Sequence, residues 1–79
     1  MNYIEVYSTH ICPWCVRAKS LLQSMGLDYE DIDISLDEDR AREMVERSGR
    51  RTVPQIFINN ESIGGFDELS QLSMEGKLG

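Results

Sequence analysis

Cys12 and Cys15 are the only cysteines in the chain, three positions apart in the stretch THICPWCVRAK, residues 9–19. The only histidine, His10, and the only tryptophan, Trp14, each stand two positions from Cys12. Two thiols at this spacing can serve as a structural crosslink, as metal ligands or as an exchanging redox pair. A crosslink closing so short a loop restricts the unfolded chain little, so stabilisation is a poor reason for the pair. His10, Cys12 and Cys15 offer three metal ligands, whereas a structural zinc site takes four, usually in two separated pairs. The sequence holds no second pair, so no metal site is expected from one chain. Thiol–disulfide exchange needs one ionised attacking sulfur and a second sulfur within reach. Residues i and i+3 of a helix have Cβ atoms about 5–6 Å apart, close to the ~4 Å of a disulfide.

The elements around the cysteines decide which sulfur is which. Tyr3–Tyr7, YIEVY, is β-branched and aromatic and predicts a strand that runs into the pair. From Pro13 onward Ala18, Leu21, Leu22 and Met25 repeat at helical spacing, and Gly26 is a natural stop. Proline suits the first helical turn, where its missing N–H costs nothing. Cys12 is then the N-cap and Cys15 lies one turn inside. At the N-cap, unpaired backbone N–H groups and the positive end of the helix dipole favour thiolate over thiol. Such positions lower a cysteine pKa from ~8.5 into the range of roughly 3.5–7.5. Cys15 receives less of this field and is expected to face the core, a reserve thiol behind an exposed one. A strand, C-x-x-C and then a helix is the thioredoxin-like context.

Further along, Tyr29–Ile34 predicts a second strand. SLDE, Ser35 to Glu38, matches a capping box with Ser35 at the N-cap, ahead of a helix that carries Ala41, Met44 and Val45 to Gly49. Glu38–Arg42 and Glu43–Arg47 are i,i+4 pairs suited to a solvated helix face. Pro54–Ile63 predicts a β-hairpin turning at NNE, Gly64 and Gly65 break it, and Phe66, Leu69 and Leu72 begin a last helix. The order is β-α-β-α-β-β-α, with no repeat, linker or low-complexity stretch.

The 79 residues suit a single domain, 1–79, with 41% apolar and 28% charged residues, an ordinary balance for a soluble α/β protein. Fourteen acidic and eight basic side chains leave a net charge of −6, against nucleic acid or an anionic membrane as partner. No apolar run approaches the ~20 residues of a membrane span, and MNYIEVYS lacks the build of a secretory signal. A reducing, cytoplasmic location and a monomer are expected.

Three separated segments together resemble the glutaredoxin family: CPWC at residues 12–15, TVPQIFIN at 52–59 and GGFDEL at 64–69. The resemblance extends over essentially the whole chain and is closest to small bacterial dithiol members. It implies a thioredoxin fold with a four-stranded mixed β-sheet flanked by three helices. It implies that Cys12 is the nucleophile and Cys15 the resolving thiol, with no bound cofactor and glutathione as co-substrate. The glutathione groove would comprise Trp14 beside the thiol, Thr52, a cis Val53–Pro54 bond whose main chain pairs with the tripeptide, and Gly65 and Phe66. Asp67 would meet the γ-glutamyl ammonium, the N–H groups near Phe66 and Asp67 the adjacent carboxylate, and Arg50 or Arg51 the glycyl carboxylate. Disulfide-bonded or glutathionylated proteins, among them ribonucleotide reductase, are the implied clients. Two positions depart from the family pattern: Thr9 stands where many relatives carry lysine, and Phe66 where bacterial relatives often carry cysteine. Two other readings remain open here, a redoxin reduced by thioredoxin reductase and a carrier of a shared iron–sulfur cluster or metal.

Overall fold

Strand β1 (Ile4–Ser8) sends its side chains alternately to two covered faces, and all five of its residues are buried. Ile4 and Val6 join Ala18, Leu22, Ile56 and Leu69 in one apolar cluster, whereas Tyr7 joins Ile32, Met44 and Phe57 in another. This computed structural model describes residues 3–77. The sheet runs in the order β2-β1-β3-β4, with β2 (Glu30–Asp33) parallel to β1. Strand β3 (Gln55–Ile58) is antiparallel to β1, and β4 (Glu61–Gly64) is antiparallel to β3. Helices α1 (Pro13–Ser24) and α3 (Phe66–Met74) supply Ala18, Leu22 and Leu69 to the first cluster, and α2 (Glu38–Ser48) supplies Met44 to the second. The four-stranded mixed sheet with helices on both faces is the arrangement expected. The hairpin turns at Asn59 and Asn60, at φ 52° and 68°, the left-handed pair that a two-residue turn requires.

This topology gathers four chain segments at one edge. The ends of parallel β1 and β2 lie there, as do the start of antiparallel β3 and the start of α3 after β4.

Strands β1 and β2 begin and end within a residue of the sequence reading, and β3 starts two residues inside the VPQIFIN stretch, past the cis proline, but α2 departs from it. Its N-cap is Asp37, whose carboxylate accepts the Arg40 N–H at 3.0 Å. Ser35 has other partners: its hydroxyl accepts the His10 N–H at 2.8 Å, and its own N–H donates to Asp33 at 2.8 Å. The capping box centred on Ser35 therefore does not form. The expected i,i+4 pairs are also replaced. Arg42 meets Asp39 at 3.3 Å and Arg40 meets Glu43 at 2.8 Å. Arg47 turns away from solvent onto the sheet.

There Arg47 donates to both carboxylate oxygens of Glu5, at 3.0 and 3.3 Å, and to the Tyr7 hydroxyl at 2.7 Å. Its guanidinium lies 4.0 Å from the centre of the Phe57 ring. Glu5 is buried because it alternates with Ile4 and Val6 onto the α2 face, and a buried carboxylate demands a partner. Arg47 is that partner, which an intrahelical pairing rule cannot reveal. The Tyr7 hydroxyl, which also donates to Glu43, has its pKa raised by burial and by that bond. Arg47→Ala should lower unfolding stability by about 2–3 kcal/mol, because it leaves Glu5 charged and unpaired. Adding Glu5→Gln should recover part of the loss, measured by urea unfolding of the single and double variants.

Candidate active site

Cys12 occupies the N-cap of α1 with extended backbone, φ −154° and ψ 98°, and Pro13 is the first helical residue. Its sulfur accepts the Cys15 backbone N–H at 3.1 Å. The geometry is that of a side-chain cap, with sulfur in place of the usual oxygen. Cys12 is partly accessible, whereas Cys15, one turn on, is only 1% exposed. The two sulfurs are joined as a disulfide, and their Cα atoms are 5.2 Å apart.

The start of β3 closes on the sulfurs from the far side. The Val53–Pro54 peptide is cis, Pro54 is buried, and the Val53 carbonyl oxygen lies 3.8 Å from Cys12 Sγ. A groove of about 400 Å³ opens from this contact. It is lined by Trp14, Arg50, Thr52, Val53, Pro54, Gly65, Phe66, Asp67 and Glu68. Trp14 is 50% exposed and leans on Phe66, with ring centres 5.6 Å apart. The fold thus brings together every residue expected in the groove except Arg51, which is exposed and lies outside the lining.

Two details beside the cysteines and the groove carry no specific signal in the sequence. The first is Arg17, whose guanidinium lies 4.7 Å from the centre of the Trp14 ring. Its signal, a cation three positions along a helix from an aromatic, is common and unspecific. The second is Glu68. Its carboxylate accepts the Gly65 N–H at 2.6 Å and lies 3.4 Å from the Arg50 guanidinium. A glutamate at the third position of a helix has a recognisable capping role, and GGFDEL contains one. Gly64 makes room for it: at φ +117°, a Cβ there would stand 2.5 Å from Glu68 Oε1. With Glu68 capping Gly65, the Asp67 side chain is not used as a cap. It is exposed at the second position of α3.

His10 is not gathered with the cysteines. Its ring meets Asp33 across the neighbouring loop. Among the described residues no three His, Cys, Asp or Glu side chains are grouped to hold a metal ion. Nor is any helix among them long and apolar enough to cross a membrane.

The glutaredoxin family model matches residues 4–63. Glutaredoxin 3 of Escherichia coli K12 is 45% identical over 78 residues, covering 99% of this chain and 94% of that protein. This chain belongs to the glutaredoxin family. Two solved structures share the fold closely. A glutaredoxin from Brucella melitensis superposes with a TM-score of 0.82 at 45% identity, covering 95% of this chain and 82% of that one. A buckwheat glutaredoxin–glutathione complex superposes with a TM-score of 0.87 at 32% identity, covering 98% and 73%. The fold is therefore the thioredoxin fold of glutaredoxins, and with its C-x-x-C pair the protein is a thiol–disulfide oxidoreductase.

Within this glutaredoxin site the Glu68 carboxyl is held below the usual glutamate range, chiefly by the Gly65 N–H and further by Arg50. A depressed folded pKa contributes stability above the unfolded value near ~4.3 and loses it as pH falls through the folded one. Glu68→Gln keeps an acceptor for the Gly65 N–H but loses the charge. At pH 7 the variant should be less stable by under about 1 kcal/mol, since the pair is largely solvated. The difference should be smaller at pH 3, where less of the carboxylate remains charged. Urea unfolding at both pH values tests this, and an equal difference at both would refute it.

Proposed function

We propose that this protein is a glutathione-dependent dithiol oxidoreductase acting on protein–glutathione mixed disulfides and on protein disulfides. One observation carries the reading: Val53 both approaches the Cys12 sulfur and lines a groove furnished for a small charged peptide. That groove offers the Arg50 cation, Val53 and Pro54 at the cis peptide bond, and the start of α3 with the exposed Asp67 carboxylate. Glutathione carries two carboxylates and one ammonium. Arg50, rather than Arg51, suits the glycyl carboxylate, the N–H groups at the start of α3 the γ-glutamyl carboxylate, and Asp67 the ammonium. Thr52, Val53 and Pro54 would align the tripeptide as an added strand, with Gly65 and Phe66 opposite and Trp14 covering the sulfur.

In the reduced protein the Cys12 thiolate, stabilised by the Cys15 N–H and the start of α1, attacks the glutathione sulfur of a mixed disulfide. The client leaves as its thiolate, and glutathione remains on Cys12. A second glutathione thiolate then attacks that glutathione sulfur, which releases oxidised glutathione and restores Cys12. With a protein disulfide, Cys12 binds one client sulfur and releases the other. Cys15 then attacks Cys12, frees the client as a dithiol and leaves the Cys12–Cys15 disulfide. Two glutathiones reduce it and depart as oxidised glutathione. The thiols carry all the electrons, so no bound cofactor is required. A reducing cytoplasm is the matching setting, and ribonucleotide reductase is one client of the right chemistry.

Cys12→Ser should abolish turnover, while Cys15→Ser should keep deglutathionylation and lose reduction of protein disulfides. Asp67→Ala and Arg50→Ala should each raise the KM for glutathione about two- to tenfold. The measurement is a coupled assay with glutathione, glutathione reductase and NADPH, run beside one with thioredoxin reductase. Reduction by thioredoxin reductase alone would refute glutathione dependence, and a fully active Cys12→Ser variant would remove Cys12 as the nucleophile.

A further inference from the structure

The Cys12 sulfur has a second side. On the β3 and α3 side lies the groove described above, but β1 has β2 as its other neighbour in the sheet. Because β1 and β2 are parallel, the loop from β2 to α2 arrives at the same edge as the loop that carries Cys12. The two loops are tied together. The His10 N–H donates to Ser35 Oγ at 2.8 Å, the His10 ring meets Asp33, and the Ile34 N–H donates to the Ser8 carbonyl at 2.9 Å.

One residue beyond the His10–Ser35 bond, each loop presents an apolar side chain to solvent. These are Ile11, directly before Cys12, and Leu36, each 93% exposed. A single exposed apolar residue is ordinary; two on tied loops next to a reactive sulfur mark an interaction surface. Leu36 also lines a hollow of about 610 Å³ with Ile34, Asp37, Glu38, Asp39 and Ala41. Residues 28–39 are acidic, with no basic residue between Asp28 and Asp39, and the Arg40 and Arg42 that follow are paired with Glu43 and Asp39. Asp37 is engaged in capping α2 and Asp39 pairs with Arg42, whereas Glu38 is exposed and has no ion pair among the described residues.

We propose that this face docks the polypeptide of the client, a segment with an apolar and a basic residue beside its disulfide-bonded cysteine. The apolar residue would cover Leu36 and Ile11, and the basic one would meet Glu38. The inference rests on the thiol–disulfide exchange reading and supplies its client class. With glutathione in the groove, this side of Cys12 is the one left for the client chain. Charge complementarity selects a basic client over a second copy of this protein, which would bring another net charge of −6.

The test uses the reduced full chain and short peptides activated as pyridyl disulfides, so that attack by Cys12 releases thiopyridone and no glutathione is needed. Leu-Cys-Lys and Leu-Cys-Glu peptides are compared with neutral dithiodipyridine as a small control. The basic peptide should react about three- to tenfold faster than the acidic one at low salt, and the ratio should collapse near ~0.5 M salt. Glu38→Lys should abolish or invert the preference. Leu36→Ser should slow both peptides by about threefold, and neither variant should change the rate with dithiodipyridine. Equal rates for the two peptides, or a preference untouched by Glu38→Lys, would overturn the proposal. So would a dimer in sedimentation that Leu36→Ser dissolves, which would give the face to a second copy. Because this assay contains no glutathione, its outcome is separable from that of the glutathione-dependence test.

Discussion

The structure depends on a hydrogen bond from a backbone amide to a sulfur. The Cys15 N–H points at Cys12 Sγ over 3.1 Å because Pro13 starts a helix with no oxygen-bearing side chain before it. Every α-helix leaves its first N–H groups without internal partners. Serine or aspartate at that position would satisfy one of them and end the matter. Cysteine satisfies it with an atom whose charged form accepts the bond better than its neutral form. The bond that meets the capping requirement is thus one that favours the charged form of a reduced sulfur, and one turn of helix separates an accessible sulfur from a buried one.

That helix start is useful only because the sheet places other chain ends around it. Parallel pairing of β1 with β2 and antiparallel pairing with β3 bring a loop or an element start to each flank of Cys12. The Val53 carbonyl stands against the sulfur on one flank, and the Ser35 loop is tied to His10 on the other. The edge is anchored from below by Glu5 and Arg47, which fasten α2 to the middle of the sheet. A carboxylate inside a small core is tolerable only because a guanidinium reaches it and stacks on Phe57 at the same time. In a 79-residue chain with little apolar surface to spare, such a contact helps to hold α2 against the sheet.

Much of the site was legible because it is made of local devices. C-x-x-C after a strand and before a helix specifies a capped thiol and a reserve thiol through spacing alone. The Asn59–Asn60 turn, the end of α2 at Gly49 and the start of α3 at Phe66 follow from backbone preferences that few residue types meet. Of the residues that the resemblance of three short segments to the glutaredoxin family implies for a glutathione site, all but Arg51 line one groove. Two departures share one cause. Neighbours along the chain make Ser35 a cap and Glu43–Arg47 a pair. In the fold Ser35 is held by His10, and Arg47 by Glu5, which is 42 positions away in sequence.

By itself, then, the sequence determined the order of elements, which sulfur is accessible and which buried, and the family, since all three rest on spacing and local backbone chemistry. Only the tertiary structure decided that Glu68 rather than Asp67 caps α3, that Arg50 rather than Arg51 reaches the groove, and that Ile11 and Leu36 share one edge. These outcomes turn on which of several chemically equivalent side chains is carried to a given place. Strand pairing and packing across the sheet settle that, and no spacing along the chain encodes it directly.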